Sequence, residues 1–73
     1  MAQEAVTLPW DADGYTVERW TGPGATDYTE YQPAQNAPSG TRITLSLPPG
    51  RWRVTYRLTH KMSEAWGTFG VRK

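Results

Sequence analysis

Apolar and polar residues alternate along most of this chain with a period of two, the pattern of strands that bury one face. Val6, Leu8 and Trp10 share one face of a first strand, and the "DADG" turn (Asp11–Gly14) ends it. In "YTVERW", Tyr15 and Val17 lie on one side and Thr16, Glu18 and Trp20 on the other. "TGPG" breaks the chain again, and "TDYTEY" is a weak strand or a meandering connection. "QPAQNAPSG" reads as a flexible polar loop over about residues 32–40. "TRITLSL" then points Ile43, Leu45 and Leu47 inward, and after "PPG" the set Trp52, Val54, Tyr56 and Leu58 does the same. "HKMSE" is a turn with room for one helical twist. "AWGTFGVRK" closes the chain as a strand with Phe69 and Val71 on one face. No segment has helical periodicity over a useful length. The pattern predicts one all-β domain, residues 1–73, of five or six short strands: a small antiparallel β-sandwich, with a five-stranded β-barrel as the alternative.

The stretch "LPPGRWRVTYRL" (Leu47–Leu58) decides much of the topology. As a hairpin with its loop at Pro48–Arg51, it would set Arg42 directly against Arg57, and like charges opposite one another destabilise a sheet. As a corner between two facing sheets it sends both apolar sets into a shared core and keeps the arginines apart. The charge argument favours the corner.

With the strands placed, "VTLPW" (Val6–Trp10), "GYTVER" (Gly14–Arg19) and "TLSLPPGRWRVTYRL" (Thr44–Leu58) resemble strands B, C, E and F of a fibronectin type III or immunoglobulin-like sandwich. The resemblance implies that Trp10 is a core tryptophan at the end of strand B. It also implies that Tyr15 and Val17 are the inward pair of strand C, and that Leu47–Gly50 is the E–F corner. "AWGTFGVRK" would be strand G. A first strand is missing, and Trp52 stands one position before the tyrosine that such corners carry.

Charge adds a division that the net value of +1 conceals. Residues 1–33 hold six acids and one base, whereas residues 34–73 hold seven bases and one acid. The asymmetry marks either a surface for an anionic partner or acidic and basic strands that neutralise each other side by side. If strands C and F are neighbours, outward Glu18 lies near Arg53 or Arg57. The candidate partner-binding set is Arg51, Arg53, Arg57 and Lys61, with Trp20 and Trp66 as aromatic companions.

Catalysis is not expected, and neither is a metal or other cofactor. His60 is the only histidine, with no nucleophile motif to accompany it. "DADG" lacks the remaining ligand positions of a calcium loop. There are no cysteines, no apolar run long enough to span a membrane, and no basic-then-apolar start of the secretory type.

A free-standing immunoglobulin-like domain of this kind resembles the accessory modules of bacteriophage virions, on capsids, tails and fibres. That resemblance implies a non-catalytic structural protein, a protein partner or self-assembly, and a place in the virion or in the host cytoplasm before assembly. Two other functions stay open: single-stranded nucleic-acid binding through the basic strand face, and carbohydrate binding through exposed aromatic rings. No membrane partner is expected.

Overall fold

A computed structural model describes residues 2–72. Along it run β1 (Ala2–Thr7), β2 (Gly14–Trp20), β3 (Tyr28–Asn36), β4 (Arg42–Leu47) and β5 (Gly50–Leu58). A single 3-10 turn (Thr59–Lys61) leads into β6 (Ser63–Val71). β1 and β4 pair as one antiparallel sheet; the other has the order β3-β2-β5-β6, also antiparallel. The molecule is therefore a two-sheet sandwich, and the sheets do not close into a barrel. No helix among the described residues is long and apolar enough to cross a membrane.

β4 and β5 belong to different sheets, so Leu47–Gly50 is the corner. Arg42 faces Thr7 in one sheet, whereas Arg57 sits between Gly14 and Glu64 in the other. The two prolines, which have no N–H to give to a ladder, suit this crossing point. Their carbonyls both receive donors: the Trp52 indole N–H donates to Pro48 at 3.1 Å, and the Arg19 guanidinium to Pro49 at 3.2 Å. Trp52 thus ties its strand back to the turn it has just left.

The alternation then builds the core as expected. Val17, Leu45, Leu47, Trp52, Val54 and Val71 form its centre. A smaller cluster of Leu8, Ala12 and Leu58 lies at one end, joined to the first through Tyr15, Ile43 and Tyr56.

Two expectations need correction. Trp10 is not a core residue: β1 ends at Thr7 and Trp10 is 85% exposed. The amide of Ala12 donates to the Pro9 carbonyl at 3.0 Å, closing a turn that buries Leu8 and Ala12 and throws Trp10 outward, over Gly40. The core tryptophan is Trp52, with no exposed surface.

The polar loop is also shorter than 32–40, because Gln32–Asn36 belongs to β3. The sequence lacks apolar residues there because β3 is an edge strand with little to bury. Pro33 falls where the register against β2 shifts, so its missing N–H breaks no regular ladder. His60, just past the end of β5, lies in the 3-10 turn and is exposed.

Candidate functional site: the outer face of the four-stranded sheet

Strand register arranges the solvent side of the larger sheet in rows. Gly14, Arg57 and Glu64 make one row, and Thr16, Thr55 and Trp66 the next. Glu18, Arg53 and Thr68 form the third, with Glu30 of β3 beside Glu18. Trp20 lies beside Tyr28, and Arg51 beside Gly70, at the far end. Five of the six expected site residues (Arg51, Arg53, Arg57, Trp20 and Trp66) therefore share one face. Lys61 stands apart from it, on the 3-10 turn at the sheet's end.

Contacts within the fold occupy most of the cations on that face. Arg53 donates through Nε to Glu18 Oε2 at 2.8 Å and through a second nitrogen to the same oxygen, while the Thr55 hydroxyl donates to the other carboxylate oxygen. The Arg53 guanidinium also lies 4.6 Å over the Tyr28 ring. Arg57 donates to Asp13 at 3.3 Å and to the side-chain oxygen of Asn36. Lys61 donates to Asp11 at 2.7 Å. Among the described residues three ion pairs thus join the acidic first half of the chain to the basic second half, the Glu18–Arg53 pair strand against strand and the other two through the Asp11–Asp13 turn.

Trp20 is engaged as well. Arg51 stacks 4.4 Å above its ring, and its indole N–H donates to the Gly24 carbonyl at 2.8 Å. The ring fills the space a Cβ would need at Gly22, whose φ of 37° already favours glycine. Of the two candidate tryptophans, Trp66 alone presents a large open surface, at 66% exposure.

The sequence missed some of this. Tyr28 had no signal beyond its place in a weak strand, yet it is a platform for Arg53. Arg19 was on the inward side of β2 by parity, and its guanidinium lies 5.2 Å over the Trp52 ring.

The ion pairs at the sheet's end have a consequence in acid. The Lys61 ammonium bonded to Asp11 holds that carboxyl below its ordinary value of 3.8. Hydrogen bonds from Thr59 and then Arg57 do the same for Asp13. A carboxyl whose pKa is lower folded than unfolded favours folding above the unfolded pKa, and that contribution is lost as pH falls through the folded value. Carboxyl NMR titration is expected to place both midpoints below 3.8. Lys61→Met should return Asp11 upward and leave Asp13 where it is. An Asp11 midpoint unmoved by that substitution would remove the pairing as the cause.

Comparison with family models, with curated proteins and with solved structures finds no match to this chain, so the reading of this face rests on its own geometry.

Proposed function

We propose that this domain is a non-catalytic structural or protein-interaction module whose contacts run through the outer face of the four-stranded sheet. The observation that carries the reading is Trp66, a large ring two-thirds open to solvent on a face whose charges are largely balanced within the fold. Aromatic anchors on flat surfaces are the residues that dominate protein contacts. The strand order supports an immunoglobulin-like plan. On that plan β1 and β4 stand for B and E, and β3-β2-β5-β6 for C′, C, F and G.

The same ion pairs weigh against nucleic-acid binding. Arg53, Arg57 and Lys61 each face a carboxylate, so a phosphate backbone would have to displace Glu18, Asp13 or Asp11 rather than release a mobile counterion. A bacteriophage virion is the narrower setting we propose, on the resemblance of a small sandwich of this type to virion accessory modules. Co-sedimentation of the tagged protein with particles supports that setting; a chain confined to the soluble fraction removes it.

The test of the main reading is a photo-crosslinking residue at position 66 of the full chain. A discrete protein adduct is expected. Oligonucleotide affinity that falls steeply with salt would transfer the face to nucleic acid. A glycan-induced fluorescence change lost in Trp66→Ala would transfer it to carbohydrate.

A further inference from the structure

The larger sheet ends in two edges that differ in kind. β3 carries Pro33 and two register shifts against β2, both of which discourage another strand from adding. β6 runs nine residues, Ser63–Val71, in unbroken register with β5. It contains no proline and no lysine, and Glu64 is its one charge. In the smaller sheet, Glu4 takes a place on the inward side of β1 opposite Leu45, the kind of inward charge that blunts an edge. Among these edges β6 is left without a guard, and the exposed Trp66 stands on it.

We propose that β6 pairs antiparallel with β6 of a second copy, about a dyad at Thr68, joining the two four-stranded sheets into one of eight. The inference rests on the reading of this domain as a protein-interaction module and names the partner. Its warrant is the self-complementarity of the strand. Continuous faces require paired residues of the same parity, so a dyad at position 68 matches residues whose numbers sum to about twice that position. On the outer face, Trp66 then lies opposite Gly70 of the second copy. Glu64 faces Arg72, the exposed residue just past the strand, and Thr68 meets its own image. On the inner face, Phe69 lies opposite Gly67 and Val71 opposite Ala65. Each large side chain meets a small one, and each acid meets a base, twice over by symmetry. Gly70 suits the role: a Cβ built there would touch nothing within 4 Å, so the space beside it is open for a ring. Moving the dyad to Trp66 would set the two rings against each other. Moving it to Gly67 would leave Glu64 facing glycine.

The purified chain should pass from its 8.2 kDa monomer to a dimer between about 10 µM and 1 mM in sedimentation equilibrium. Glu64→Lys should weaken association about tenfold, as should Arg72→Glu, and the double charge swap should restore it. Within one strand these positions lie about 26 Å apart, so restoration can only come from pairing between copies. The chain has no cysteine, so introduced thiols report register directly. Thr68→Cys puts two thiols across the dyad at disulfide distance, whereas Gly70→Cys leaves them about 13 Å apart. Oxidation should therefore crosslink the first variant at least about tenfold faster than the second. Circular dichroism melts check that each variant is folded.

A monomer up to about 1 mM overturns the proposal. So does a dimer that the charge swap fails to restore, or one that crosslinks equally well from position 70. If position 66 still gives an adduct with a different protein, the interaction-module reading survives and only the second copy is lost.

Discussion

Trp52→Ala is expected to abolish cooperative unfolding in urea, or to move the midpoint close to zero denaturant. The side chain is fully buried, packs edge-on against Tyr31 with ring centroids 4.7 Å apart, and lies under the Arg19 guanidinium. Truncating a buried aromatic costs about 3–5 kcal/mol, because the transfer free energy is lost and a cavity remains. A domain of 73 residues has a total stability of about 4–11 kcal/mol, so this one change removes a large share of it. Trp52→Phe separates two contributions. It keeps most of the ring but leaves the Pro48 carbonyl without its indole donor, at a cost of about 1–2 kcal/mol beyond the lost volume. The order of midpoints followed by circular dichroism should be wild type, then phenylalanine, then alanine. An alanine variant within about 1 kcal/mol of wild type would show that Trp52 does not hold the corner.

How the sequence came to disclose the corner and the inward Trp52 but not the outward Trp10 is a matter of range. Period-two alternation is a local rule, and wherever the chain ran straight it placed side chains correctly: Ile43, Leu45 and Leu47 inward, Trp52 and Val54 inward, Arg53 outward. It failed at Trp10 because the turn closed by Ala12 on Pro9 falls inside the apparent strand and resets the parity. It failed at Gln32–Asn36 because an edge strand buries little and so has little apolar residue to show. The corner was legible from charge, since a hairpin with its loop at Pro48–Arg51 would have set Arg42 against Arg57. The Glu18–Arg53 pair followed once β2 and β5 were neighbours. What no local rule could reach was the second partner of two cations: Tyr28 under Arg53 and Asn36 beside Arg57. Those contacts join residues across strands whose relative register only the folded sheet sets, and they decide whether a basic stripe is available to a partner.

Glu18→Ala is the sharpest test of that last point, with an expected loss of about 2–3 kcal/mol. The carboxylate side chain retains 12% of its exposure and the Arg53 side chain 25%, so water screens the pair only in part. Removing Glu18 takes the acceptor from two Arg53 nitrogens and from the Thr55 hydroxyl at once. The cost stays below that of a fully interior pair because the freed guanidinium can turn toward solvent and still rest on Tyr28. Arg53→Ala should cost more than Glu18→Ala, since it also strips the cation from the Tyr28 face. A double-mutant cycle should give a coupling of about 1–3 kcal/mol, nearly independent of salt. Coupling near zero would mean that Arg53 is open to a partner after all, and the basic stripe would regain its claim to bind anions. Substantial coupling has the opposite consequence for every charge-reversal experiment on this face. Arg53→Glu would set a glutamate against Glu18 and unfold the sheet before it reported on any ligand, so Trp66 is the position from which contacts on this surface can be read.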